Sequence, residues 1–140
     1  MAYLHQEITD KVIKAFYEVY NTLGHGFLEK VYHNAPLIEL AKFGFELKSQ
    51  YPIKVYYEGK LVGDYFADII VNDCVILELK AKEAIWEEHE YQLINYLKAT
   101  EIEIGLLLNF GKKPEFKRKI FTNDRKSLNT DSTDRTDLRR

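Results

Sequence analysis

The sequence predicts one mixed α/β domain in which helices flank a β-sheet, with the element order α-α-β-β-β-α-β-β. Three segments have apolar residues at helical spacing, and five shorter segments either alternate or are almost uniformly apolar, as strands are. Strands interrupted by a helix favour layers of helix and sheet around one core. A chain of 140 residues fits a single domain of this kind.

Two helices are predicted before the first strand. The first covers residues 9–23, with Thr9 as its N-cap and Gly24 at its end. The second covers residues 28–42 and contains Pro36, which removes one backbone hydrogen bond and should kink the helix. The expected inward-facing residues are Val12, Ala15, Phe16, Val19, Tyr20 and Leu23 in the first helix, and Val31, Ala35, Ile38 and Ala41 in the second.

Five strands and a third helix follow. Residues 58–60 (Glu-Gly-Lys) are a hairpin signal between the first two strands. The segment 104–110 is apolar at nearly every position, as in an interior strand covered on both faces. The last strand alternates and is predicted at a sheet edge. The predicted bounds are 52–57, 61–71, 74–81, 104–110 and 116–121 for the strands and 84–100 for the helix.

The composition favours a folded, soluble protein. The formal charge is -2 and the pI is about 6.1, so nucleic-acid binding would need a local basic patch or a metal. The single Cys74 excludes an intrachain disulfide and fits a reducing compartment. No apolar run resembles a signal peptide or could span a bilayer, so we expect a cytoplasmic protein without membrane contact. We expect the domain to cover residues 1–122 and the polar segment 123–140 to be disordered.

The most informative residues are charged side chains inside two apolar strands. Asp68 lies in the segment 65–71, and residues 78–80 (Glu-Leu-Lys) lie in the segment 74–81. Burying an unpaired charge is costly, so such side chains are normally paired or bound to a metal. Carboxylates are suitable ligands for a divalent cation, and a lysine can stabilise a developing anion or orient a water.

Side-chain alternation along the strands sets a geometric condition for a site shared by Asp68 and Glu78. Glu78 and Lys80 lie on one face of their strand. A two-residue turn would place Asp68 opposite Leu77, on the wrong face for Glu78. A three-residue loop (72–74) or a bulge would instead pair Asp68 with Glu78. We expect the odd loop or the bulge.

Two helical segments carry polar residues that fit such a site. Glu29 and Tyr32 are three apart, and Gln92 and Tyr96 are four apart, so each pair shares a helix face. A helix that follows a Glu-x-Lys strand commonly packs against the sheet. We therefore expect Gln92 to lie near Lys80.

Residues 26–32 (Gly-Phe-Leu-Glu-Lys-Val-Tyr) resemble the signature of the GxxExxY proteins, a branch of the PD-(D/E)XK nuclease superfamily. The resemblance runs from Thr9 to Thr122 and implies a restriction-endonuclease-like core. Each motif alone is weak, but together and in order they make a strong match. Pro36 and Ala67 depart from the pattern, and neither touches the proposed chemistry. The other matching segments are Asp68, 78–81 (Glu-Leu-Lys-Ala), Gln92 with Tyr96, and 105–111.

The resemblance implies a metal centre that holds Mg²⁺ or Mn²⁺. Asp68 and Glu78 would be metal ligands, with the carbonyl of Leu79 as a further one. Glu29 would ligate the metal directly or through water. Oxygen ligands suit a hard cation, so the implied centre agrees with the chemistry of the residues.

The resemblance also implies roles for residues beside the metal. Lys80 would position or activate the attacking water and stabilise the pentacovalent phosphate. Gln92 would orient that water or contact a phosphate. Tyr96 would pack or hydrogen bond beside Gln92, and Tyr32 would support the site next to Glu29.

Two function classes fit these residues. One is a metal-dependent nuclease that hydrolyses phosphodiester bonds of DNA or RNA, which the complete residue set favours. The other is a non-catalytic nucleic-acid-binding or assembly module that keeps the nuclease fold, which the small size and acidic balance favour. A homodimer would reconcile a minimal domain with cleavage of both strands of a duplex.

Several of these residues also have a purely structural interpretation. Glu29 complements a helix dipole if it acts alone. Asp68 and Lys80 could form only an ion pair, which would leave Glu78 without a partner. His33 and His89 lack paired ligand spacing, so a zinc site is not expected.

Overall fold

The computed structural model describes residues 4–126, which form three α-helices, five strands and one short 3-10 helix. The order of these elements confirms the predicted α/β fold class. The helices are α1 (Gln6–Leu23), α2 (Glu29–Ala41) and α3 (Glu87–Lys98), and the 3-10 helix is η1 (Asn123–Arg125). The strands are β1 (Leu47–Tyr57), β2 (Lys60–Val71), β3 (Val75–Lys80), β4 (Ile104–Phe110) and β5 (Pro114–Ile120).

All five strands form one mixed sheet in the order β1-β2-β3-β4-β5. Neighbouring strands are antiparallel except β3 and β4, which are parallel. Parallel neighbours need a long crossover connection, and α3 supplies it. Every residue of β4 is buried and β5 lies at a sheet edge, as the sequence predicts.

Helices cover both faces of the sheet. The first two helices pack on one face, which carries Val71 and Leu77, and α3 packs on the opposite face, which carries Ile70 and Ile76. Residues adjacent in sequence therefore contribute to two different cores, because side chains alternate along a strand. No helix within residues 4–126 is long and apolar enough to cross a membrane.

The start of α1 differs from the prediction. The helix begins at Gln6, so Thr9 lies inside it and is not its N-cap. The Thr9 hydroxyl donates a hydrogen bond to the Gln6 carbonyl (3.1 Å) and accepts one from the Arg118 guanidinium (3.1 Å). Thr9 is therefore a buried polar link between α1 and β5. The predicted inward residues Val12, Ala15, Phe16 and Val19 are all buried, and Tyr20 and Leu23 pack against them.

The inward face of α2 was predicted wrongly in part. Ile38 and Ala41 were expected inside but are exposed, Ile38 by 65%. The buried residues of the helix are Tyr32, Pro36 and Leu40. These three are spaced four apart and form one stripe. Apolar residues surround most of this short helix, so their spacing alone does not fix its rotation. Pro36 is accommodated inside the helix, facing the core.

The first hairpin is longer than predicted. β1 begins at Leu47 rather than at Pro52, because Leu47 pairs with Val71 near the far end of β2. Proline is tolerated in β1 because this strand is at a sheet edge. Glu58 and Gly59 form the predicted turn, with φ values of 50° and 78°.

Contacts with the domain continue after Thr122. Residues 123–125 form η1, and the Lys126 ammonium donates hydrogen bonds to the carbonyls of Thr100 (3.0 Å) and Ile102 (2.7 Å). These contacts attach the chain to the connection between α3 and β4. The rest of the tail predicted to be disordered, residues 127–140, lies outside the described residues.

A glycine in β4 sets how closely α3 approaches the sheet. A Cβ atom on Gly105 would lie 2.6 Å from Leu93 Cδ1, closer than real carbon atoms approach. Leu93 is a fully buried residue of α3. Gly105 therefore lets the helix that carries Gln92 and Tyr96 pack directly on the sheet.

We expect Gly105→Ala to lower the free energy of unfolding by about 1–3 kcal/mol, the usual cost of overpacking a core. Urea unfolding measures the change. The matched control is the same substitution in a Leu93→Ala background, where the obstructing side chain is absent and the cost should shrink. An equal cost in both backgrounds would contradict this explanation.

Candidate active site

The loop between β2 and β3 has three residues, as the parity condition requires. Val71 pairs with Val75 and Ile69 with Leu77, so residues 72–74 form the loop and the register aligns Asp68 with Glu78. Asn72 and Asp73 adopt positive φ values of 52° and 54°. Asparagine and aspartate tolerate this left-handed conformation better than most residues. The predicted odd loop is confirmed.

Backbone pairing between β2 and β3 stops at Ile69 and Leu77, although both strands continue. We call this point of separation the fork. Two side-chain hydrogen bonds replace the ladder there. The Asp68 amide donates to Glu78 Oε2 (3.0 Å), and the Leu79 amide donates to Asp68 Oδ2 (2.8 Å). The two carboxylates are thereby held together between the strands.

The fork is unfavourable for two negative charges. Glu78 is only 4% exposed, and burial together with the neighbouring Asp68 carboxylate raises its pKa to about 8. Burial also raises the pKa of Asp68, against the hydrogen bond from Leu79 and the charge of His33. Lys80 lowers the pKa of both acids, and Glu29 raises them. The two acids together therefore favour the binding of a cation at the fork.

Lys80 lies on the same face of β3 as Glu78, as predicted, but it is not bonded to either acid. None of the ion pairs formed among residues 4–126 includes Asp68, Glu78 or Lys80. The structural interpretation in which Asp68 and Lys80 simply pair is therefore not observed. Lys80 acts on the acids through its charge while its ammonium group stays available.

Glu29 faces Asp68 across a cleft of about 250 Å³ beside α2. Within residues 4–126, no group of three or more His, Cys, Asp or Glu side chains is close enough together to hold a metal ion. Asp68 and Glu78 thus form a pair, and Glu29 stands apart from them. We call this space the α2 cleft, and its lining residues are Glu29, Lys30, His33, Gln50, Asp68 and Leu79.

The Tyr32 side chain lies in the core and does not line the α2 cleft. It contributes to the site by holding the turn that precedes Glu29. Its hydroxyl donates to the Gly24 carbonyl (2.7 Å) and accepts from the Phe27 amide (3.3 Å). Its ring stacks on Phe110 with centroids 4.4 Å apart. Gly26, in the same turn, has φ 112°, which favours glycine. The Gly-x-x-Glu-x-x-Tyr spacing therefore fixes the turn from which α2 begins, with Glu29 as its first residue.

Gln92 and Tyr96 line a second, larger cleft of about 500 Å³ on the α3 side. None of its lining residues also lines the α2 cleft, so the predicted residues are divided between two spaces. Burial and the charges of Glu78 and Asp68 raise the pKa of Tyr96 to about 12. We call this space the α3 cleft, lined by Val55, Tyr65, Glu88, Tyr91, Gln92, Asn95 and Tyr96.

Asn109 holds the end of the β3 segment, a role the sequence reasoning missed. Its side-chain amide donates to the Lys82 carbonyl (2.9 Å), and its carbonyl oxygen accepts from the Lys82 amide (2.9 Å). A Cβ atom on Gly111 would lie 2.5 Å from the same Lys82 carbonyl oxygen. The sequence feature that could have indicated this role is that Asn109 is the one polar side chain in an otherwise apolar, fully buried strand.

His33 is a second residue that the sequence reasoning set aside. It lines the α2 cleft one helical turn after Glu29, and its Nε2 lies 2.8 Å from Ser49 Oγ. In the sequence, the only indication of a site role for His33 was its four-residue spacing from Glu29. That spacing is also common for an ordinary surface residue of a helix.

We expect Tyr32→Phe to lower the free energy of unfolding by about 1 kcal/mol, because it removes a hydroxyl with two hydrogen bonds but keeps the ring on Phe110. Thermal unfolding measures the change. Tyr17→Phe is the control, since Tyr17 is exposed on α1. Equal stability of Tyr32→Phe and wild type would show that the hydroxyl does not hold the turn.

We expect the metal-free protein to lose stability as the pH rises from about 4.5 to about 8, the ordinary and folded pKa values of Glu78. In this range folded Glu78 retains a proton that the unfolded chain has lost, so raising the pH favours unfolding. Glu78→Gln should flatten the pH dependence of stability. At pH 9 the free energy of unfolding of this variant should exceed that of wild type by on the order of a few kcal/mol.

Urea unfolding in a chelator between pH 5 and pH 9 measures this dependence. Glu18→Gln on the exposed face of α1 is the control, and it should keep the wild-type slope. A Glu78→Gln protein with that same slope would show that the buried acid is not responsible.

Comparison with known proteins agrees with this geometry. A family model of the PD-(D/E)XK nuclease superfamily matches residues 6–119, from the start of α1 into β5. No curated protein and no solved structure matches the chain. The matched range covers well over half of the chain and contains the fork, both clefts and all three helices. The chain belongs to the PD-(D/E)XK nuclease superfamily.

Proposed function

We propose that this protein is a metal-dependent nuclease that hydrolyses phosphodiester bonds of DNA or RNA. One observation carries the proposal. Asp68 and Glu78 are joined at the fork, and Lys80 follows on the same face without an ion-pair partner among residues 4–126. A buried acid pair with one available ammonium group contributes little to stability but is suited to phosphoryl chemistry.

The residues at the fork fit a hard divalent cation such as Mg²⁺ or Mn²⁺. Their carboxylates supply oxygen ligands, and their pKa values are raised chiefly by burial, which disfavours the charged form that a bound cation would stabilise. Asp68, Glu78 and the Leu79 carbonyl would hold the ion. When bound, it would polarise a phosphate oxygen and make a nearby water more acidic. The wider position of Glu29 supports ligation through water, the second of its two predicted modes.

Lys80 would hold the attacking water and offset negative charge as the phosphorus gains its fifth oxygen. Its ammonium group has three donors and forms no ion pair within residues 4–126, which supports this role. The clamp by Asn109 on Lys82 limits how far the end of the strand can move. Such preorganisation lowers the reorganisation needed as charge develops.

Gln92 was predicted to orient the attacking water or to contact a phosphate. It lies in the α3 cleft, outside the space shared by Glu29 and Asp68. This location argues against orientation of the attacking water and supports contact with a part of the substrate that lies away from the fork. Tyr96 would separate Gln92 from the acids and complete the wall between them.

We further propose that the chain belongs to the GxxExxY branch of the superfamily. The turn fixed by Gly26 and Tyr32, with Glu29 presented toward Asp68, supports this placement. The free Cys74 supports a cytoplasmic location, and nucleic acid is the proposed partner. A homodimer would bring two sites to a duplex, and the edge strand β1 is available for such pairing.

A non-catalytic nucleic-acid-binding or assembly module is the second candidate. The observation that favours it is the separation of Glu29 from the acid pair, which leaves no cluster of three ligands among residues 4–126. Such a module would bind nucleic acid equally well with or without Asp68.

We expect purified protein with Mn²⁺ or Mg²⁺ to cleave single-stranded or duplex DNA or RNA, measured by gel electrophoresis of labelled substrates. Lys80→Ala and Asp68→Asn should each lower the rate on the order of 10²- to 10³-fold, as removal of a preorganised charge at a reacting centre does.

The controls are Lys14→Ala and Asp10→Asn, two exposed charges of α1. Both should cleave at the wild-type rate. If the site variants cleave as fast as these controls, or if no substrate is cleaved with either metal, the protein is not a nuclease of this mechanism.

A further inference from the structure

The α3 cleft has a size and lining that the proposed chemistry does not require. Its volume of about 500 Å³ is in the range of small-molecule sites, and it has more apolar than polar character. In the proposed function, hydrolysis at the fork needs the two acids, the divalent cation they would hold, Lys80 and a water. The space beside α3 is therefore available to a further part of the substrate.

Aromatic rings form the walls of this cleft. Tyr65 is 47% exposed and Tyr91 is 58% exposed, although both are large apolar side chains. Tyr65 also packs against Tyr96, with ring centroids 5.9 Å apart and an interplanar angle of 46°. Exposed rings of this kind are stacking platforms for planar ligands, and every nucleobase has a planar face.

Two side-chain amides project from the same side of α3. Gln92 and Asn95 are three residues apart, and both line the cleft. In the part of the chain that the structure describes, neither amide has a side-chain hydrogen-bond partner. Each offers a donor and an acceptor, the pattern with which Asn and Gln bind base edges.

The charge of the cleft selects against a phosphate inside it. Glu88 lines the cleft and, among residues 4–126, no lysine or arginine does. A phosphate would be repelled, whereas an uncharged planar ring would not. The cleft is thus suited to a base whose backbone stays outside.

The cleft is also at the right distance from the fork. Tyr65 precedes Asp68 by three residues on β2, which corresponds to about 10 Å along a strand. A phosphate at Asp68 and a base beside Tyr65 can therefore belong to the same short stretch of one strand.

We propose that the α3 cleft binds one unpaired nucleobase of the substrate strand, stacked on Tyr65 or Tyr91 and hydrogen bonded by Gln92 or Asn95. The inference rests on the proposed nuclease function and makes it more specific. A base within a duplex is stacked and paired and cannot enter the cleft unless it is extruded. The preferred substrate is therefore a single strand, or a duplex from which a nucleotide is unpaired or extruded.

Fluorescence anisotropy tests the proposal with Lys80→Ala protein, which prevents turnover during binding. The probes are a labelled 12-nucleotide single strand, DNA and RNA in turn, and the same strand with its central bases removed. We expect the intact strand to bind about 10-fold more tightly, the order of one stacked base. Adding Tyr91→Ala or Tyr65→Ala should reduce this ratio toward one, and Tyr91→Phe should preserve it.

Tyr57→Ala is the matched control, because Tyr57 is 66% exposed near the hairpin turn and does not line the cleft. It should keep the full preference for bases. Equal binding of intact and base-free strands would overturn the proposal. A preference for bases that persists in both tyrosine variants would also overturn it. So would the absence of binding to any strand, which is the result expected if the cleft instead accepts an aromatic side chain of a protein.

Cleavage by the wild-type protein, measured in parallel, separates this inference from the proposed function. Base-dependent binding without cleavage would support the cleft as a base site and refute the nuclease. Cleavage at equal rates and equal affinities with and without bases would support the nuclease and refute the base site.

Discussion

The candidate site depends on two hydrogen bonds in which carboxylates replace backbone carbonyls at the fork. They satisfy amide groups that the separating strands would otherwise leave unpaired, and unpaired buried amides are costly. They also bring the buried Glu78 next to the half-buried Asp68, where their negative charges would repel. The fork therefore combines a structural requirement with an electrostatic penalty, and the surrounding sheet and helices must hold it in place.

That surrounding support comes from both faces of the sheet. On one face, the ring of Tyr32 stacks on Phe110 while its hydroxyl holds the turn that begins α2. On the other, Gly105 lets α3 pack close to β4. Between them, Asn109 holds the chain that leaves β3. Each contact lies in the core, yet each fixes the position of a side chain at one of the two clefts.

The sequence predicted the relative position of Asp68 and Glu78 better than it predicted the contacts of the surrounding helices. Charged residues in apolar strands, together with the two-residue alternation of strands, were enough to require the three-residue loop. The rotation of α2 was not predictable in the same way, because Ile38 and Leu40 are equally apolar and only packing distinguishes them. Thr9 has a good capping side chain, but its contact with Arg118 depends on a strand more than a hundred residues later. The division of Gln92 and Glu29 between two clefts follows from the path of α3 across the sheet, which no local pattern specifies.

The length of the loop at residues 72–74 has a consequence for proteins that share this fold. A single inserted or deleted residue there would turn Asp68 and Glu78 toward opposite faces of the sheet, since a shift of one residue reverses every side chain of a strand. All of the site residues would still be present in the sequence. An insertion in a surface loop is thus a route to an inactive relative whose motifs are complete, and spacing must be counted together with residue identity.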